Sequence, residues 1–360
     1  MLTRNKLLLK KSNLNILTKL FLPYSNAAAT DNRPHIPVLF EETINYLDAG
    51  PSKVFIDMTF GAGGHSRGIL QKAPDATIYA LDRDPIAHEH SKQLAAEYPA
   101  GQIIPLLGKF SDLPQLLKER NVKQGTFDGI VFDLGVSSMQ FDESERGFSH
   151  SKNAFLDMRM GHEQITAAEF LAKIDEPDLA KILRVYGGEK AAKRIARTIV
   201  ESRSTIGKTE TTKQLADLVA SSVSQTYRVN KLQRRSHVAT LTFQAIRIFL
   251  NNELNEINYG MILAQRYLKK GGRLVIITFH SLEDTIVKRH INGNIIEGMA
   301  NPVPLKYSGH DMVHDQDVME SLAEKTWKQL HKHVIVSSEK EVSENARSRS
   351  AKLRAVEKIN

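Results

Sequence analysis

Short apolar runs punctuate the first third of the chain. Val54, Phe55 and Ile56 form the β-branched and aromatic core of a buried strand, and Asp57 ends it at a polar edge. Similar runs follow at 77–81, 103–107 and 127–134, the last being the strongest after the first. Between them lie helical stretches. One starts at Ser66, and another starts at Asp84-Pro85, with proline at the first helical position, where its missing N–H does no harm. Residues 35–47 read as an opening turn and a short helix. Alternation at this spacing predicts an α/β fold on a parallel sheet.

After Gln140 the pattern changes. Residues 141–235 show little strand periodicity and four helical stretches, at 166–171, 177–185, 190–202 and 211–222. This is the pattern of a helical insertion after the fourth strand, projecting from the carboxyl edge of the sheet, where ligands bind in such folds. The sheet pattern then resumes. Residues 239–268 predict one long helix with Phe243, Ile246, Leu250, Leu254 and Ile257 on a single face. Gly271-Gly272 reads as a turn, 273–279 as an apolar strand running into His280, 299–317 as irregular, 333–336 as extended and 352–356 as a last strand. The expected organisation is a leader at 1–32, a first sheet segment at 33–140, the helical insertion at 141–235 and a second sheet segment at 236–360.

Composition narrows the function classes. The 360 residues are 41% apolar and 25% charged, as in ordinary globular proteins. There is no cysteine, which excludes disulfides, thiolate metal sites and cysteine nucleophiles. A net charge of +8 suits a polyanionic partner. No apolar run reaches the length of a membrane span. The leader has no acid before Asp31. Arg4, Lys6, Lys10, Lys11 and Lys19 are basic, and Leu7, Leu14, Ile16, Leu17, Leu20 and Phe21 could line one side of a helix. That pattern predicts import into the mitochondrial matrix; a disordered basic tail is the plainer alternative.

Candidate chemistry gathers where strands end. Gly61, Gly63 and Gly64 allow a tight turn and close approach of a ligand. Their order differs from the G-x-G-x-x-G of a pyrophosphate site. S-adenosylmethionine has an adenine and a ribose but no phosphate, and it suits this turn better. Asp57 offers a seat for a cationic group, and Asp82, seventeen residues after His65, an acceptor for ribose hydroxyls. Asp133, Gly135, Ser137, Ser138 and Gln140 could bind a nucleoside and an amino-acid moiety, or could form a hydrogen-bonded loop anchor with a helix cap. His280 reads as a general base or as a residue that shapes its loop. His35 and His65 lack metal-ligand spacing, so no metal is expected. Three basic clusters read as solvated surface or as contacts to a nucleic-acid backbone: Lys190, Lys193, Arg194 and Arg197; Arg228, Lys231, Arg234 and Arg235; and Arg347, Arg349, Lys352 and Arg354.

Several ordered motifs together resemble a known family. They include Phe-Gly-Ala-Gly-Gly-His (60–65), Leu-Asp-Arg-Asp-Pro (81–85), Phe-Asp-Leu-Gly-Val-Ser-Ser (132–138), Arg-Gly-Phe-Ser (146–149) and Leu-Asp-Met-Arg-Met (156–160). Thr-Phe-Gln-Ala-Ile-Arg-Ile (242–248), Phe-His-Ser-Leu-Glu-Asp (279–284) and Arg-Ser-Arg-Ser-Ala-Lys-Leu-Arg (347–354) complete the set. The chain resembles the RsmH/MraW family of S-adenosylmethionine-dependent N4-cytosine methyltransferases of small-subunit ribosomal RNA. The resemblance implies a class I (Rossmann-like) methyltransferase sheet with an inserted helical domain. It implies a cofactor site at Gly63, Gly64, His65, Asp82, Phe110, Asp133 and Gln140, with Phe110 beside the adenine. Asp133, or a backbone carbonyl near Gly135, would accept a hydrogen bond from cytosine N4. With the leader, the chain looks like the mitochondrial member. Its partner would then be small-subunit rRNA or the assembling mitochondrial small ribosomal subunit. Two other readings stay open: an assembly factor that keeps the fold without turnover, and an amino-methyltransferase acting on another RNA.

Overall fold

The computed structural model describes residues 37–161, 165–229, 235–292 and 326–360. The leader, the stretch 299–317 and Arg234 lie outside the described residues. Described strands are β1 (Val54–Asp57), β2 (Thr77–Asp82), β3 (Ile103–Leu107), β4 (Phe127–Asp133), β5 (Tyr227–Val229), β6 (Arg235–His237), β7 (Leu268–Thr278), β8 (Trp327–Gln329), β9 (Ile335–Val336) and β10 (Lys352–Lys358). All except β5 and β6 join one sheet, in the order β3-β2-β1-β4-β7-β10-β8, with β9 also paired to β10. β1 to β4 and β7 are parallel, and β10 turns antiparallel against β7, β8 and β9. This is the α/β, Rossmann-like sheet expected. Strand order reverses between β1 and β4, so a crevice opens beyond their carboxyl ends.

Both faces of the sheet are covered, which explains why the strands read as near-continuous apolar runs. Side chains alternate across it. Phe55, Val131, Val275 and Ile277 point to one core, with Ile44, Leu47, Ile69 and Leu70 from the helices Phe40–Leu47 and Gly64–Lys72. Ile56, Phe132, Leu274 and Ile276 point to the other, with Leu254, Ile257, Met261, Ile286 and Val287 from the helices Glu253–Tyr267 and Ser281–Asn292. Among the described residues no helix is long and apolar enough to cross a membrane.

A third apolar core lies in the helical segment between β4 and β7. Leu171, Leu179, Leu183, Ile195, Ile199, Leu215 and Val219 build it. They come from the helices Ala167–Lys173, Glu176–Gly187, Ala192–Thr205 and Thr212–Val223. Thr166, Asp175 and Thr211 cap three of these helices with side-chain acceptors. Val238, Phe243, Ile246 and Leu250 share the same core, so the helix Thr240–Leu250 packs with the helical segment.

Three local expectations are corrected. The single helix expected over 239–268 is two, Thr240–Leu250 and Glu253–Tyr267, broken at Asn252, whose φ is 51°. The cause lies at Asn251, whose side chain is buried and pulled out of helical use. It donates to the Met158 carbonyl (2.8 Å) and accepts from the Met160 N–H (2.8 Å), while its own carbonyl accepts from Arg83 (2.8 Å). Phe243, Ile246 and Leu250 therefore face the helical core, while Leu254 and Ile257 face the sheet. Gly271-Gly272 lies inside β7 rather than in a turn. Gly271 has φ +80°, and the pairing register with β4 shifts there, so the glycines absorb a bulge. Finally, the insertion contains the antiparallel hairpin β5–β6, whose three-residue strands are too short to show a period.

Candidate active site

The loops after β1, β2 and β4 converge at the switch point. Asp57, expected to face a ligand, is buried instead. It accepts from the Ser66 hydroxyl (2.7 Å) and the Thr59 N–H (3.1 Å), so it braces the glycine turn against the next helix. Burial raises its pKa; His65 and Ser66 oppose that shift. Gly63 also works from inside. Its φ is +79°, and an added Cβ would stand 2.6 Å from the Phe60 ring. Asp82 accepts from Gly61 N–H (2.8 Å) and Asp84 N–H (2.9 Å). Burial nevertheless pushes its carboxyl up to about 6 against those donors.

A cavity of about 620 Å³ opens here, of the size that holds a nucleoside-class ligand. Gly61, Gly64, His65, Asp82, Phe110, Asp133 and Gln140 all line it; Gly63 does not. Phe110 stands edge-on to Phe132, with centroids 5.2 Å apart. The Asp133 N–H donates to the Thr59 hydroxyl (2.6 Å), which holds the end of β4 against the first loop. Its Oδ2 is 3.6 Å from His65 Nε2, and its Oδ1 has no hydrogen-bond partner among the described residues. The His65 ring is 5% exposed, and both its nitrogens, like Asp133 Oδ1, are buried without hydrogen-bond partners among the described residues.

Gln140 combines two roles. It forms a capping box with Ser137 at the start of the helix Ser138–Asp142, and its amide donates to Asp84 Oδ2 (2.7 Å). That same oxygen accepts from Arg146 (2.8 Å), and Arg146 reaches on to the Arg159 carbonyl (3.0 Å). Asp84 also caps the helix after β2. One buried carboxylate thus joins the cofactor-side loops to the start of the helical segment.

The far wall carries groups the sequence reading missed. Arg247 grips Glu253 with two bonds (2.8 and 2.9 Å), and Ser111 binds Glu256 through its N–H (2.9 Å) and hydroxyl (3.0 Å). Their signal was hidden, because acids early in a helix read as a solvated face. His280 lines the cavity, but both its nitrogens are turned to Glu283. Nδ1 accepts from the Glu283 N–H (3.4 Å) and Nε2 lies 2.9 Å from Oε1. The contacts to Glu283 tie the ring to its own loop. Burial pulls the Glu283 carboxyl up, but His280 and the Phe279 N–H outweigh it and hold it below its ordinary value. Glu253, His280 and Glu283 offer ligand atoms within 4.8 Å of one another, and Arg247 holds both oxygens of Glu253.

The basic candidates are spread over the molecule. Lys190, Lys193, Arg194 and Arg197 are exposed beside or along the helix Ala192–Thr205, away from the cavity lining, and Arg197 is 3.4 Å from Glu176. Arg228 is bound to Glu189, and Arg235 is exposed on β6. Arg347 lines the cavity, pairs with Asp142 and lies over the Phe141 ring at 5.5 Å, so it ties the C-terminal segment to the helix Ser138–Asp142. Arg349 is exposed, while Lys352 and Arg354 meet Asp284.

The sequence profile of the MraW methylase family matches residues 32–359. A "Probable methyltransferase-like protein 15 homolog" of Drosophila melanogaster is 56% identical over 349 residues, covering 95% of this chain and 98% of that one. The Mus musculus "12S rRNA N(4)-cytidine methyltransferase METTL15" is 46% identical over 337 residues, 90% of this chain and 82% of that one. A Culex quinquefasciatus protein named as a receptor-type tyrosine-protein phosphatase is 60% identical over 335 residues. The match takes in 92% of this chain, which spans only 23% of that protein's length.

Proposed function

Because the chain belongs to the MraW methylase family, we propose that it methylates N4 of a cytidine in mitochondrial small-subunit ribosomal RNA, using S-adenosylmethionine. The observation that carries this reading is the cavity at the β1/β4 switch point, lined by Gly61, Asp82 and Asp133, in a chain matched to the family over 32–359. The name of the mouse relative supports the base and the rRNA. The basic, acid-free leader supports the organelle and the matrix, and the 12S rRNA in the mouse relative's name agrees with the organelle.

The residues present fit that cofactor. Asp82 would accept from the ribose hydroxyls, Phe110 would pack by the adenine, and the backbone of Gly61, where an added Cβ would have no neighbour closer than 3.9 Å, would allow close approach. Gln140 and His65 complete the wall. Once bound, S-adenosylmethionine supplies an electrophilic sulfonium methyl. The protein's task is chiefly orientation, because the N4 lone pair is delocalised into the cytosine ring and attacks poorly unless held in line. The Asp133 carboxylate, 26% exposed at the cavity wall, would accept from N4–H, oppose the positive charge that develops there and take the proton. His65 Nε2, 3.6 Å from its Oδ2, positions that carboxylate. We assign the helical segment 141–235, together with the helix Thr240–Leu250, to the RNA side, with Lys190, Lys193, Arg194, Arg197, Arg235 and Arg349 as phosphate contacts that position without choosing a base.

Nucleoside mass spectrometry of mitochondrial small-subunit rRNA, with and without the protein, tests the reading. N4-methylcytidine should disappear without it and return with wild type but not with Asp82→Ala. An unchanged level with impaired subunit assembly would give the non-catalytic assembly factor instead.

A further inference from the structure

A second cleft of about 370 Å³ lies beside the first, lined by His150, Ser151, Tyr227, Arg235, Ser236 and His237. His150 lines both. Three rings organise it. His150 and His237 stack with centroids 4.6 Å apart and planes 23° from parallel, and Tyr227 meets His237 at 5.9 Å and 86°. The hairpin sets this arrangement, because Tyr227 and His237 are directly paired across β5 and β6. Tyr227 is 60% exposed, a large ring held open to solvent on a two-stranded ribbon. Burial, with His237 second, holds the His150 pKa below its ordinary value, so that ring is neutral at physiological pH. Arg235 adds an exposed guanidinium, and among the described residues none that lines the cleft is acidic.

Rings of this kind, next to a cation and without carboxylates, fit a nucleobase with its phosphate. We propose that the cleft receives the base of a nucleotide adjacent to the target cytidine, stacked on Tyr227, with Arg235 on the neighbouring phosphate. The inference rests on the chain's being an rRNA methyltransferase. The target base itself belongs in the first cavity, since the second has neither the glycine turn nor Asp82 and Asp133. The shared His150 makes the two clefts neighbours, as adjoining nucleotides of one strand require. Such a base must be unpaired to reach a ring face, so the predicted substrate is a single-stranded or looped stretch of rRNA.

The test uses the full chain and a single-stranded rRNA oligonucleotide that contains the target cytidine, with 2-aminopurine placed on either side of it in turn. With wild type, fluorescence should be quenched at one flanking position. Tyr227→Ala should abolish that quenching and raise KM for the RNA ~10-fold, as loss of one base–aromatic stack does. The kcat and the S-adenosylmethionine affinity should stay within about twofold, and Tyr227→Phe should restore both quenching and KM. Three results overturn the proposal: no quenching at either position with wild type, wild-type quenching and KM in Tyr227→Ala, or a KM change accompanied by lost cofactor affinity. A wild-type protein that binds S-adenosylmethionine yet methylates no RNA would instead refute the enzyme reading, and this inference with it.

Discussion

Asp82 holds its charge in an unfavourable place. Two backbone N–H groups favour the carboxylate, yet burial dominates and its pKa stands near 6. A raised carboxyl binds its proton more tightly in the fold than in the unfolded chain. The fold therefore loses stability from this group as pH rises through the window from 3.8 to about 6. Ribose hydroxyls donate to the ionised form, so cofactor binding carries the opposite dependence. Affinity should be constant above about pH 6.5 and fall below 6, approaching tenfold per pH unit. Titration calorimetry between about pH 5 and 7 reads this directly, and Asp82→Asn should flatten the profile while weakening binding; a flat wild-type profile would remove the carboxylate from the contact. Asp133 is tested differently. Loss of its negative charge and its ability to take the proton in Asp133→Asn should lower kcat ~10²- to 10⁴-fold, with little change in the RNA's KM. A kcat near wild type would return the role to a backbone carbonyl.

At the scale of elements, the broken helix is the informative case. Asn251 is fully buried, with donors and acceptor used on Met158, Arg247 and Met160. Asn251→Ala strands those backbone groups, and a loss of about 3 kcal/mol is expected, read as a lower denaturant midpoint. A shift below about 1 kcal/mol would show that the break is held by packing alone. This break was invisible in the sequence because both halves carry one apolar period, although they bury it against different cores. The four parallel strands at the start of the sheet were legible, since burial on both faces writes a β-branched run whatever the neighbours are. Seven of the eight expected cofactor residues line the cavity, because glycines and acids at strand ends mark a sheet's carboxyl edge. Asp57 misled for the same reason: an aspartate at a strand end looks alike whether it meets a ligand or the hydroxyl of Ser66. Arg247 and Glu253 escaped notice because their pairing crosses the break.

At the scale of the whole molecule, the charge of +8 is not spread as a uniform coat. Arg228, Arg347, Lys352 and Arg354 are taken up in pairs with Glu189, Asp142 and Asp284. Lys193 and Arg194 stand exposed on one helix face and are better placed for a polyanion. Replacing both by alanine should weaken RNA binding and reduce the slope of log K against log salt by about 1.5–2, with cofactor affinity unchanged. An unaltered slope would take that face out of the interface. The same view gives Asp84 a larger meaning. It touches Asp82 through its N–H, Gln140 and Arg146 through its carboxyl, and through Arg146 the chain entering the helical segment. A carboxylate that ties the cofactor-side loops to the helical segment predicts that cofactor and RNA bind with coupled affinities. Whatever factor the RNA adds to the grip on the cofactor, the cofactor must return to the RNA, and four dissociation constants around a closed cycle measure it. The enzyme's two substrates are in that sense each other's effectors.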